Sequence, residues 1–143
     1  MAVSICTLNV NGIAEFPKRE KVFKHLLDQH FDIYLLQETH LPDVTQGKLW
    51  ENQWGGRALW SPGTNRSAGV GLLFHPGSAF EVLDHNTDTD GRFLAVKLKI
   101  NGHTVQVINV YAPNKHSDRE TFFGNLWRLA FRRSEERRVG KEC

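Results

Sequence analysis

Three small polar groups stand where apolar runs end: Asn9 and Asn11, then Glu38, then Tyr111 and Asn114. A carboxylate flanked by neutral amides is a donor set for a hard divalent cation that keeps several of its waters. Such a cation can activate water and stabilise charge on a phosphate. Amides can orient the cation's waters without adding charge, and a phenolic hydroxyl can donate to a phosphate oxygen. Together these residue types could hydrolyse a phosphodiester. Taken singly, each has a plainer reading. Glu38 could be a solvated strand end, Asn11-Gly12 ordinary turn chemistry, and Tyr111 a packing residue before Ala112-Pro113.

The elements that would position them can be read from the pattern. Val3–Leu8 is a short apolar run and predicts a buried strand. Pro17 suits a helix's first turn, and Val22, Phe23, Leu26 and Leu27 give Pro17–His30 one apolar face. Ile33–Leu36 predicts a second buried strand. Strand, helix, strand in this order favours two parallel strands with a right-handed crossover. Open α/β sheets gather ligands beyond the carboxyl ends of their strands, so the polar groups could meet there.

The middle of the chain is punctuated by Gly and Pro. A short helix is expected over Gln46–Gln53, and short strands over Arg57–Ser61, Val70–Phe74 and Phe80–Leu83. Leu94, Val96, Leu98 and Ile100 alternate with Ala95, Lys97 and Lys99. Asn101-Gly102 then supplies a two-residue turn, and Val105–Val110 runs back as a hairpin. Ser117 and Glu120 have capping-box spacing, ahead of an apolar helix face of Phe122, Phe123, Leu126 and Trp127. Asp84–Gly91 has calcium-loop composition, but no register puts both the glycine and the closing glutamate in place, so a polar turn is expected. The seven histidines show no metal-ligand spacing. His40, two residues after Glu38, is expected to play a structural or solvent role.

Composition bounds the rest. The 143 residues suit one domain, and 40% hydrophobic residues suit a core. A net charge of +2 gives no composition-level case for nucleic acid. Cys6 and Cys143 suggest neither zinc nor a disulfide scaffold, so a reducing compartment is expected. No signal peptide or membrane-length apolar run is present. A soluble intracellular protein, without a membrane or an organic cofactor as partner, is therefore expected.

The runs Thr7–Ile13, Leu36–His40 and Ile108–Asn114 resemble, in order and spacing, the first three signature blocks of the endonuclease/exonuclease/phosphatase superfamily. Gln37-Glu38-Thr39-His40, Tyr111-Ala112-Pro113-Asn114 and Ser67–Phe74 are most similar to the apurinic-type endonuclease domain of LINE-type retrotransposons. The resemblance implies an α/β fold, the N-terminal portion of a four-layered sandwich of two packed sheets with outer helices. It implies that Glu38 is a ligand of Mg²⁺ or Mn²⁺. Asn9 would orient the metal's surroundings or the scissile phosphate. Asn11 stands where some relatives carry a metal-associated Asp. Tyr111 would contact the scissile phosphate, and Asn114 would support that loop or the DNA backbone. The implied partners are DNA and a reverse transcriptase domain in the same polyprotein, and the implied place is the nucleus. Two other readings stay open: a repair nuclease or phosphoesterase of the same superfamily, and a non-catalytic retroelement remnant.

The superfamily also expects a Gly-Asp-Phe-Asn block and a closing Asp-His pair, and neither occurs here. Seven of the eleven residues of Arg133–Cys143 are charged, and the segment resembles a translated sequencing adapter. The expected division is therefore a partial domain over 1–132 and a non-native tail over 133–143. The chain is expected not to cleave DNA appreciably, to lack the part that contributes the second sheet, and to expose apolar edges.

Overall fold

The computed structural model describes residues 3–131. In order run β1 (Ile5–Asn9), α1 (Phe16–Gln29), β2 (Ile33–Gln37), α2 (Val44–Trp54), β3 (Ala58–Ser61), β4 (Val70–Phe74), β5 (Glu81–Thr87), β6 (Phe93–Ile100), β7 (His103–Val110) and α3 (His116–Phe131). The strand–helix–strand expectation holds: β1 and β2 pair in parallel, Ile5 opposite Ile33 and Asn9 opposite Gln37. β4 and β3 add antiparallel, completing a sheet ordered β1-β2-β4-β3. A second sheet is ordered β5-β6-β7. The expected hairpin joins β6 to β7, with Asn101 and Gly102 both at positive φ (51° and 81°).

β2 is apolar along its length because both of its faces are covered. Tyr34 and Leu36 face α1 and α2, meeting Phe23, Leu26, Trp50 and Trp54. Ile33 and Leu35 face the other way, packing with Leu72 and Phe74 against Leu94, Val96, Leu98 and Val107 of the second sheet. On that sheet's outer face, Leu126 of α3 packs against Phe93, Ala95 and Ile108. The order is helices, sheet, sheet, helix: the four layers anticipated. One expectation is corrected here. The second sheet does not await further sequence, since residues 81–110 already build three of its strands.

Smaller differences have local causes. α2 starts at Val44 because the Asp43 carboxylate caps the Gln46 N–H at 2.8 Å. α3 starts ahead of Ser117, since the Arg119 N–H already bonds to the Lys115 carbonyl at 3.0 Å. Phe123 is 48% exposed and not part of a buried face. The Trp127 side chain and the boundary expected after Arg132 lie outside the described residues. The polar turn expected over Asp84–Gly91 is shorter than that: Asp84–Thr87 continues edge strand β5, and the turn begins at Asp88. Among the described residues no helix is long and apolar enough to cross a membrane.

Among the described residues β1 and β7 each have an open edge. Between them lies an apolar cleft of about 440 Å³, lined by Val3, Ile5, Ile33, Ile100, Val105 and Val107.

Tyr34 offers a test of the helix-side core. Its ring is fully buried; its hydroxyl donates to the Leu26 carbonyl and accepts the Phe31 N–H at 3.0 Å. Burial raises its pKa, while the Phe31 hydrogen bond acts the other way. A hydroxyl raised in the folded state stabilises fully below the unfolded pKa of about 10, and that contribution fades as pH climbs to the folded value. Tyr34→Phe should therefore cost roughly 1–2 kcal/mol at neutral pH. The gap to wild type should narrow above about pH 10, as urea melts along a pH series would show.

Candidate active site

The β1–β2 pairing continues past the strands. Val10 N–H bonds to Gln37 O at 3.0 Å, Gly12 N–H to Glu38 O at 2.7 Å, and Ile13 N–H to Thr39 O at 3.0 Å. This zipper carries two side chains to one margin, where Asn9 Nδ2 donates a short hydrogen bond to Glu38 Oε2. Asn9 Oδ1 accepts the Asn11 N–H at 2.9 Å, so the amide is oriented from both ends. Asn11 and Glu38 both hold left-handed backbone, φ 58° and 55°. For a glutamate that conformation costs of order 1–2 kcal/mol and persists only where surrounding contacts enforce it.

Basic residues of α1 supply part of that enforcement. Lys18 Nζ donates to Asn11 O at 2.8 Å. Arg19 is buried and stacked 4.6 Å over Trp50, and donates to Ile13 O (3.1 Å) and Ala14 O (2.9 Å). Burial lowers its pKa, against the opposing charge of Glu15. His40 packs its imidazole over Gly12, where a Cβ would fall 2.5 Å from Nδ1. Thr39 and His40 then bond through their N–H groups to Gly69 O (3.0 Å) and Ala68 O (2.9 Å).

Tyr111 reaches the same place from the second sheet. Burial first, and then the nearby Glu38 carboxylate, push its hydroxyl above the usual tyrosine pKa, while Arg92 opposes the shift. The two sheets are tied just beneath. Asn109 is 2% exposed, and its Nδ2 donates across to Leu36 O (3.0 Å) and Gly71 O (2.8 Å). Its Oδ1 accepts Gln37 Nε2 at 2.9 Å, and Gln37 also donates to Thr7 Oγ1 at 2.8 Å.

Asn9, Glu38 and Tyr111 therefore come together. Asn11 joins them through its backbone N–H, with its side chain exposed. Asn114 is exposed on the loop before α3 and makes no hydrogen bond among the described residues. Sequence reasoning missed Asn109 and Arg92. A polar residue inside the apolar run Val105–Val110 was the available signal for the first; nothing local signalled the second.

The donor set suits Mg²⁺ or Mn²⁺ better than a soft metal. Among the described residues no three of His, Cys, Asp and Glu stand together as a cage. Glu38 offers one half-buried carboxylate, with a neutral amide and a phenol beside it. That fits a cation held by few protein oxygens that keeps most of its waters.

Residues 6–139 match the model of the Endonuclease/Exonuclease/phosphatase family. The chain belongs to this family. It is 34% identical over 126 residues to the Transposon TX1 uncharacterized 149 kDa protein of Xenopus laevis, covering 88% of this chain and 10% of that protein. The retroelement resemblance is thereby borne out. An AP endonuclease from Archaeoglobus fulgidus superposes with a TM-score of 0.70 at 21% identity, covering 94% of this chain and 53% of its own. The 3′ phosphatase NExo from Neisseria, bound to a product DNA hairpin, superposes with a TM-score of 0.70 at 24% identity, covering 96% and 56%. The chain thus spans about half the length of these structures.

Proposed function

We propose that these residues form the front of a Mg²⁺- or Mn²⁺-dependent DNA endonuclease that nicks target DNA for retrotransposition. The parent would be a nuclear polyprotein that also carries a reverse transcriptase. The observation that carries the endonuclease reading is the meeting of Asn9, Glu38 and Tyr111 from three strands and two sheets. The retroelement part rests on the identity to the transposon protein.

Each residue then has a task. Glu38 would hold the cation, and Asn9 sets the direction of its carboxylate. Tyr111 keeps its proton at neutral pH and can donate it in a hydrogen bond to a phosphate oxygen. Asn11 holds Asn9 through its N–H, and Asn114 would face the DNA backbone. When bound, the cation supplies an activated water and charge neutralisation on the phosphate. None of these five residues would serve as a general base for the attacking water, so the 143-residue chain by itself should not nick at an appreciable rate.

The test is nicking of supercoiled plasmid by the intact reading frame around this segment, beside the 143-residue chain. Open circles that need Mg²⁺ or Mn²⁺ and vanish with EDTA are expected from the first and not the second. An inert intact protein under both metals would sink the endonuclease reading. Equal nicking by the short chain would sink the claim that its site is incomplete.

A further inference from the structure

The polar turn between β5 and β6 presents an arginine to the site. The Asp88 carboxylate accepts from Ser61 Oγ at 2.9 Å and from the backbone N–H groups of Arg92 (3.1 and 3.2 Å) and Phe93 (3.2 Å). Gly91, at φ +70°, packs so tightly that a Cβ would lie 2.7 Å from backbone atoms of Gly63, Gly69 and Pro62. Its carbonyl accepts the Gly69 N–H at 2.8 Å, and the Arg92 carbonyl accepts the Tyr111 N–H at 2.8 Å. The turn therefore joins the loop beside Thr39 to the strand end at Tyr111, and leaves Arg92 little backbone freedom.

The Arg92 side chain lies over the Tyr111 ring, its guanidinium carbon 5.1 Å from the centroid, and Nη1 donates to Tyr111 O at 3.3 Å. Among the described residues the guanidinium makes no other hydrogen bond and no ion pair. It is half-buried, with most of its N–H donors uncommitted. Asp88 is taken up by backbone and Ser61 donors, and Asp90, two residues before Arg92, makes no ion pair with it among the described residues. A half-buried cation with spare donors, held beside a hydroxyl and across from a carboxylate, is set to take an anion.

We propose that Arg92 binds a non-bridging oxygen of the same phosphodiester that Tyr111 contacts. It thereby offsets the Glu38 charge that would otherwise repel the backbone. The identity of that phosphate as DNA rests on the proposed function; the anion site itself does not.

The 143-residue chain would be titrated with a short fluorescein-labelled DNA duplex in EDTA at several salt concentrations, following anisotropy. Arg92→Ala and Arg92→Gln should each weaken binding roughly 5- to 10-fold. They should also lower the slope of log K against log salt by about one. Arg92→Lys should keep most of the slope. A role confined to holding the Tyr111 ring would instead weaken all three alike and leave the slope unchanged, which overturns the proposal, as does wild-type binding by Arg92→Ala. If Arg92→Ala does not fold by circular dichroism, the contrast between Gln and Lys decides. A second probe, inorganic phosphate, is followed at the Arg92 Nε–H by NMR. A phosphate response without duplex binding would sink the DNA reading and uphold Arg92. Silence to both probes overturns the Arg92 assignment as well.

Discussion

Glu38→Ala is expected to cut metal-dependent nicking by the intact protein at least about 100-fold. Loss of a group that merely supports a metal ligand typically costs 10- to 100-fold, so loss of the one carboxylate in the cluster should reach or pass the upper end. Stability should change little, because the substitution removes a half-buried side chain at a left-handed position and no packed core. The measurement is plasmid nicking over a Mn²⁺ series, with a thermal melt beside it. Retention of more than a tenth of the activity would mean that Glu38 is not the metal's principal protein ligand. A large drop in melting temperature would move the effect from chemistry to folding.

The second large effect should come from Asn109→Ala, at about 2–4 kcal/mol of stability. The substitution strips donors from two carbonyls in the other sheet, Leu36 O and Gly71 O, and an acceptor from Gln37 Nε2. These groups are buried between layers, where an unmet hydrogen bond is most costly. Urea unfolding should show a lower midpoint with an unchanged slope. A loss under about 1 kcal/mol would show that the sheets hold their spacing by apolar packing alone.

Much of this was legible in the residues because it was local. Asn101-Gly102 announced its hairpin, Pro17 its helix, and the apolar run at Ile33–Leu36 its buried strand. Glu38, Asn9 and Tyr111 were legible as a set because each closes an apolar run. Their actual contacts were not, since the Asn9–Glu38 bond depends on the parallel register of β1 and β2. Arg92 escaped for a similar reason. Its place over Tyr111 follows from the pairing of β6 with β7 and from Asp88 folding the turn, neither of which a spacing rule describes. β5 was cut short at Leu83 because an exposed edge strand carries polar residues, here Asp84–Thr87, that read as a loop. Asn109 looked like an interruption of an apolar strand, whereas it is the polar tie between sheets.

The layering also sets a schedule for synthesis. Ile33, Leu35, Val70, Leu72 and Phe74 share one apolar face, and its cover comes from β6 and β7, completed only at Val110. At ~5–20 residues per second, that face stays bare for roughly 2–7 s after Phe74 is made. Within that window a nascent chain can pair with its neighbours on a polysome, so ribosome speed between residues 75 and 110 governs how much chaperone shielding the protein needs.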